Sequence, residues 1–183
     1  MIRCSWCGTD PLYIKYHDEE WGKETHDDDV LFEFLILESA QAGLSWITVL
    51  KRRENYRKAF ANFNAEIVSK FTEQDVERLM NDAGIIRNKG KILAAIGNAK
   101  IFIDIQKERG SFDQYLWSFM PSNNPLISSH IDHKTAATTS EISDAISKDL
   151  KKRGFKFFGS TICYAHMQAI GMVNDHILEC GWR

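Results

Sequence analysis

Very little in this sequence reads as linker, scaffold or anchor. Three prolines are spread over 183 residues, with no low-complexity segment and no internal repeat, so the chain is one domain or two small lobes sharing a core. Four cysteines, Cys4, Cys7, Cys163 and Cys180, are too few and too scattered for a disulfide framework. Inside a cell such cysteines serve metal binding or simple burial. No apolar run approaches bilayer-spanning length, and the N-terminus (Met1, Ile2, Arg3, Cys4) carries no signal peptide. No membrane partner and a cytoplasmic location are therefore expected. A net charge of −2 gives no global attraction to nucleic acid, and any such partner has to be met by a local basic patch.

What is present is helix. Hydrophobic residues make up 44% of the chain and charged ones 26%, enough to bury a full core in a soluble globular fold. The stretch 31–50, LFEFLILESAQAGLSWITVL, organises the rest. Val30, Leu31, Phe32, Phe34, Leu35, Ile36 and Leu37 make a helix apolar on every side, and such helices are buried. It runs into Glu38, with Gln41 one turn on, and breaks at Gly43. A second helix then opens with Ser45 as N-cap and Trp46 in its first turn. KRRENYRKAFANF extends it, with Tyr56 and Phe60 inward and Lys51, Arg52, Arg53, Arg57 and Lys58 on a solvated face.

Residues 73–82 form a short helix stopped by Gly84 as C-cap. A long helix follows over about 89–108, a turn or two over 111–119, another helix from Ser140 to about Lys152, and a last pair over about 160–180. Residues 4–26 show no regular periodicity, and 121–139 read as a polar loop. No strand is predicted anywhere, so the fold class is all-α.

Three sets of residues carry chemistry. A carboxylate at the edge of an apolar helix has to be paired, protonated or facing a cavity, because burying it bare is costly. Glu38 on one wall and the indole of Trp46 on the other suit a flat, polar, electron-poor ring. Trp6, Tyr13, Tyr16 and Trp21 crowd into a short N-terminal stretch with acids between them. They either pack onto the core or line the same cleft.

The second set is RGFKFFGST, 153–161. Gly154 and Gly159 bracket a short apolar hairpin, and a helix begins near Ser160. Backbone N–H groups at a helix start beside glycines make a phosphate-sized anion site. Lys151, Lys152, Arg153 and Lys156 supply the positive charge that the whole chain lacks. A helix-hairpin-helix clamp grips DNA phosphates in this way without reading sequence; an ordinary connection with solvated lysines is the alternative.

In the third set, Cys4 and His17 lie at one end of the chain. His176 and Cys180 lie at the other, four apart and so on one helical face. Two thiols and two imidazoles suit tetrahedral zinc in a closed structural site. Cys7 is an alternative to His17, since Cys4 with Cys7 also has zinc-finger spacing.

The blocks PLYIKYHDEEWG (11–22), QAGLSWITVLKRRENYRKAF (41–60), DVERLMNDAGIIRNKGKI (75–92) and LKKRGFKFFGSTICYAHMQAIGMVNDH (150–176) resemble the DNA-3-methyladenine glycosylase I family, a zinc-containing branch of the helix-hairpin-helix glycosylases. The likeness covers nearly the whole chain and is weakest at 121–139. It implies a single glycosylase domain over 1–183, its two end segments clasped by one structural Zn²⁺ and its hairpin at about 150–172. It also implies a monofunctional base-excision-repair enzyme, working as a monomer on double-stranded alkylated DNA. That enzyme hydrolyses the N-glycosidic bond of 3-methyladenine, releases the free base and leaves an abasic site.

Carried over by position, the metal ligands would be Cys4, His17, His176 and Cys180, with Cys7 outside the site. Glu38 would be the catalytic carboxylate, hydrogen-bonding the base together with Tyr16. Trp46 would stack on the base, with Trp6, Tyr13 and Trp21 nearby, while Gly154, Lys156, Gly159 and Ser160 would meet DNA. The reading from another class is a non-enzymatic, zinc-stabilised module that binds bent or damaged DNA. A pure clamp needs no acid in a cavity, so Glu38, Gln41 and Trp46 favour the enzyme. Lyase chemistry is not expected, because no lysine falls in the predicted pocket. Asp175 lies where many helix-hairpin-helix glycosylases carry a catalytic aspartate, but it adjoins His176, and no general-base role is assigned to it.

Overall fold

The computed structural model describes the backbone of residues 1–183 and every side chain except that of His133. Among the described residues the α-helices are, in order, α1 (Pro11–Glu19), α2 (Asp28–Gln41), α3 (Trp46–Leu50), α4 (Arg53–Ala59), α5 (Ala65–Val68), α6 (Glu73–Asn81), α7 (Lys89–Arg109), α8 (Phe112–Trp117), α9 (Glu141–Arg153) and α10 (Ser160–Ala169). Two short strands, β1 (Leu126–Ile127) and β2 (Val173–Asn174), pair in parallel. Among the described residues no helix is long and apolar enough to cross a membrane.

The centre is α2. Every residue from Leu31 to Ala40 is buried, and α3, α7, α8 and α10 pack against it. Phe32 of α2 meets Phe102 at a ring separation of 5.0 Å, and Phe102 stacks on Phe112 at 4.2 Å. The ends of α2 are tied by side chains, which satisfy groups that a helix cannot pair internally. Asp28 accepts from the N–H groups of Phe112 and Asp113 and from the Gln106 amide, at 2.6–2.9 Å. One carboxylate thus joins α2 to α7 and caps α8. At the far end Lys91 Nζ donates to the Ala40 and Ala42 carbonyls at 2.8 and 2.7 Å, a cation where the helix dipole favours one. Glu38 is fixed in place by this anchorage.

The structure corrects the sequence reading mainly at the chain ends. Residues 4–26 are not irregular throughout. They contain α1, opened by Asp10, which accepts from the Leu12 N–H at 3.0 Å, with Pro11 at the first helical position. At the other end, only α10 of the expected last pair forms. His176 and Cys180 lie beyond β2 in irregular chain on either side of a turn at Leu178 and Glu179, so they share no helical face; the Cys180 N–H donates to the Ile177 carbonyl at 2.9 Å instead. Gly84 does not cap α6, whose C-cap is Asp82. Nor does α3 run on past Leu50. A turn at Lys51 and Arg52 precedes α4 and swings Arg53 inward, where it pairs with Glu20 and Glu33 instead of facing solvent.

The N-terminal segment docks on the end of α10. The Gly22 N–H donates to the Gln168 carbonyl at 2.9 Å and the Thr25 N–H to that of Ile170 at 3.1 Å. Two carbonyls at the end of α10 are satisfied by this crossing. The approach is so close that a Cβ on Gly171, at φ +76°, would lie 2.2 Å from the Glu24 nitrogen. Only glycine fits there.

Candidate functional site

A cavity of about 220 Å³ is lined by Trp6, Tyr13, Tyr16, Trp21, Glu38 and Trp46, together with Gln41, Ala165 and Gln168. The six residues expected there from the sequence are all brought to it. Three helices contribute pairs three residues apart, which share a helical face: Tyr13 and Tyr16 on α1, Glu38 and Gln41 on α2, Ala165 and Gln168 on α10. Trp46 stands in the first turn of α3, where the Ser45 hydroxyl pairs with that of Thr48 at 2.7 Å and makes no side-chain bond to the backbone. The rings touch one another: Trp6 lies 4.9 Å from Tyr13 and 4.8 Å from Trp21, and Tyr16 lies 5.3 Å from Trp46. The turn between α2 and α3 exposes Leu44 beside Gly43, which adopts φ +81°.

Glu38 is 3% exposed and accepts a hydrogen bond from no described residue. Burial pushes its carboxyl up to about 8. Burial, and then the nearby Glu38 charge, hold the Tyr16 phenol well above its usual value, so it stays a donor. Burial likewise pushes Tyr13 up to about 12. The cavity therefore pairs electron-rich ring faces with a carboxyl that burial keeps neutral, and a cation entering it favours ionisation of that carboxyl.

Cys4, His17, His176 and Cys180 come together behind this wall. Their ligand atoms all lie within 4.8 Å of one another and all four residues are buried. His176 Nδ1 is 3.4 Å from Cys4 Sγ and 3.2 Å from Cys180 Sγ, and His17 Nε2 is 3.6 Å from Cys180 Sγ. Those separations match the edges, roughly 3.5 Å, of a tetrahedron with metal bonds of zinc length. The other imidazole nitrogens are also engaged, His17 Nδ1 by Asp18 at 2.7 Å and His176 Nε2 by the Trp21 carbonyl at 3.1 Å. This is the outer support that metal-binding histidines need. Arg3 grips Asp18 in turn, and its hydrogen bonds hold that carboxyl below the usual range. Burial pushes the Cys4 thiol up to about 12, so an ionised sulfur here calls for a bound cation. The cluster can hold a metal ion. The Cys7 thiol instead donates to the Cys4 carbonyl at 3.1 Å.

The hairpin between α9 and α10 forms as its glycines suggest. Gly154 caps α9 at φ +106° and Gly159 is the N-cap of α10. Phe155 and Phe158 are buried, whereas Lys156 and Gly159 are exposed. Asn98, buried on α7, holds the loop from both sides: its Oδ1 accepts from the Lys156 N–H at 3.0 Å and its Nδ2 donates to the Lys156 carbonyl at 2.9 Å. Two of the expected groups are partly committed within the chain. The Ser160 hydroxyl is bound to Asp144 and Ser143, leaving its backbone N–H for an anion. Arg153 is held by Glu108 and Asp149 at 2.6 and 2.9 Å.

Sequence reasoning missed Ala165, Gln168 and Asn98. The two cavity residues carried a signal only in their i,i+3 spacing on a helix just after the hairpin. Asn98 carried none, because it recognises backbone 58 residues away.

A helical body with a small aromatic cavity beside a hairpin clamp defines the helix-hairpin-helix class of base-excising enzymes. Residues 6–183 match the family model described as methyladenine glycosylase, and the chain belongs to that family. It is 52% identical over 180 residues to DNA-3-methyladenine glycosylase 1 of Escherichia coli (strain K12), covering 98% of this chain and 96% of that one. It is 46% identical to the DNA-3-methyladenine glycosylase of Haemophilus influenzae (strain ATCC 51907 / DSM 11121 / KW20 / Rd), covering 97% and 96%. Among solved structures, a variant of 3-methyladenine DNA glycosylase I in complex with 3-methyladenine aligns with a TM-score of 0.95 at 35% identity, over 100% of this chain and 97% of that one.

Proposed function

We propose that this chain is a monofunctional DNA glycosylase that hydrolyses the N-glycosidic bond of 3-methyladenine in double-stranded alkylated DNA, leaving an abasic site. The observation that carries this reading is the Glu38 carboxyl, buried and without a partner among the described residues, in the wall of an aromatic cavity. Methylation at N3 gives the nucleobase a positive charge, so it is already a good leaving group and departs neutral. The enzyme's tasks are to extrude the nucleotide, exclude ordinary adenine and hold the sugar as positive charge moves onto it.

Trp46 stacks on the flipped base, with Trp6, Tyr13 and Trp21 enclosing it. Electron-rich faces favour the cationic ring by about 0.5–2 kcal/mol per contact. Glu38 accepts from the exocyclic amine and Tyr16 donates to a ring nitrogen. A cationic base ionises Glu38 on entry. Once the bond breaks the base is neutral, the attraction fades and the carboxyl takes up a proton again, which assists product release. These contacts favour binding and selection more than bond cleavage. Rate then depends on strain in the extruded nucleotide, a positioned water and the field of the phosphates. Leu44, an exposed apolar side chain on the turn between Gln41 and Trp46, fills the gap left in the duplex.

Lys156, Gly154, Gly159 and the N–H of Ser160 take the DNA backbone. Cys4, His17, His176 and Cys180 hold one structural zinc, which supplies no bond-breaking chemistry and orients the aromatic loop through Trp21. Among the described residues no lysine lines the cavity, so hydrolysis without lyase chemistry is the expected course. The test is to incubate the protein with methylated duplex DNA and assay free 3-methyladenine and alkali-labile sites. DNA binding with no base release would leave only a clamp for damaged DNA.

A further inference from the structure

We propose that Gln168 is a specificity-determining residue, a fixed acceptor that reads the exocyclic amine and so separates adenine-type from guanine-type N3-methyl lesions. The inference rests on the cavity being a 3-methyladenine site. Gln168 lines that cavity from the last turn of α10. Its Nε2 donates to Asp175 Oδ2 at 2.6 Å. Asp175 is buried and also accepts from the hydroxyls of Tyr164, at 2.9 Å, and Ser128. A carboxylate that receives three donors selects the NH₂ end of the amide, because the carbonyl end would set two acceptors against each other. The amide therefore cannot turn over. Its Oε1 has no partner among the described residues and is the end left for a ligand. The backbone is held as well, since the Gln168 carbonyl accepts from the Gly22 N–H at 2.9 Å.

Glu38 alone is a poor judge of the exocyclic group. With its carboxyl pushed up to about 8, it accepts from an amine when ionised and donates to a carbonyl when protonated. One proton lets it suit either purine. An amide locked by Asp175 has no such freedom. The amine of 3-methyladenine offers two N–H groups, one for Glu38 and one for Gln168 Oε1. A purine with a carbonyl at that position places oxygen against oxygen. Sites built to hydrogen-bond an N–H reject analogues lacking it far more strongly than apolar pockets reject a change of size.

The test is a fluorescence titration of the metal-loaded, full-length chain with free 3-methyladenine and with 3-methylhypoxanthine, which carries a carbonyl in place of the amine. The parent should prefer 3-methyladenine by about 10–100-fold, the cost of leaving a buried acceptor facing an acceptor. Gln168→Met should lose about tenfold in 3-methyladenine affinity, the cost of one hydrogen bond, while 3-methylhypoxanthine binds as before or tighter. A merely structural role would weaken both ligands alike. Should the methionine variant not fold, Gln168→Asn withdraws the oxygen by one methylene and should narrow the preference in the same sense. Equal binding of the two bases by the parent, or a preference unchanged in the variants, overturns the role of Gln168 and leaves the cavity reading intact. A parent that binds neither base overturns the cavity reading itself.

Discussion

Glu33 and Glu38 stand on the same buried helix, 7% and 3% exposed, and their surroundings differ completely. Glu33 accepts from Arg53 Nε at 2.5 Å and Arg57 Nη2 at 2.9 Å, and Arg53 reaches on to Glu20 at 2.6 Å. Glu38 meets aromatic rings and open space. The first carboxylate is a structural joint between α2, α4 and the end of α1. The second faces the cavity with no hydrogen-bond donor among the described residues, which is what the proposed role in base binding requires. Burial alone therefore does not mark a functional acid; burial with an empty hydrogen-bonding shell does. Asp175 is the same lesson in reverse. It is buried near the cavity, yet three donors already occupy it, which makes it a positioning group.

The contrast is sharpest if the clasp is broken. Cys180→Ser should lose the metal and several kcal/mol of stability, because the bound ion closes a loop spanning almost the whole chain. Metal analysis and thermal unfolding with and without chelator check this. Trp6 and Trp21 should loosen with the clasp and admit water, so the Glu38 carboxyl falls back toward the ordinary value near 4.5 while the Glu33 joint persists. Cys7→Ser should do neither. Metal loss in that variant would replace His17 by Cys7 in the ligand set.

Next in size is Glu38→Gln. The native carboxyl near 8 lies above its unfolded value, so the native state binds the extra proton between those limits. Its contribution to stability is complete below pH 4.5 and is lost as pH rises through 8. At full size the loss is about 4–5 kcal/mol. The variant has no such titration, so its stability relative to the parent should climb from pH 4 to pH 8 in denaturant unfolding, while affinity for 3-methyladenine falls. A flat difference would mean that Glu38 is solvated.

Glu33→Ala should act oppositely, costing about 2–3 kcal/mol at neutral pH with base affinity little changed. The figure is below that of a fully buried pair because Arg57 reaches solvent. A large drop in base affinity instead would show the joint to be part of the cavity.

Much of this was legible because it lies in local pattern. A helix greasy on every side had to be central, and Glu38 at its end had to face something. The hairpin announced itself through Gly154 and Gly159, and the four clasp residues through their chemistry. The α1 helix was hidden because its inward face is made of tyrosines among charges, although Asp10 followed by Pro11 is a helix start. The geometry of the Cys/His cluster could not be read as helical spacing, since His176 and Cys180 are placed by irregular chain beyond β2. Arg53 looked like one more solvated cation, because nothing local reveals an ion pair with Glu33, twenty residues back. Long-range polar contacts leave no period in a sequence.

The smallest effect concerns the hairpin, where the charge is exposed. Lys156 has its backbone clamped by Asn98 and its side chain in solvent, so in the proposed clamp it would meet phosphate as a screened point charge. Lys156→Ala should weaken duplex binding alike at every sequence, by less than about tenfold at moderate salt, and reduce the salt slope of log K by about 1. Free 3-methyladenine affinity should not change, since the lysine lies outside the cavity. Asn98→Ala should do more damage than the loss of the charge itself, because it releases the loop that aims both the lysine and the N–H groups at the start of α10. If Lys156→Ala lowered free-base affinity, the separation between a clamp that finds DNA and a cavity that selects the lesion would fail.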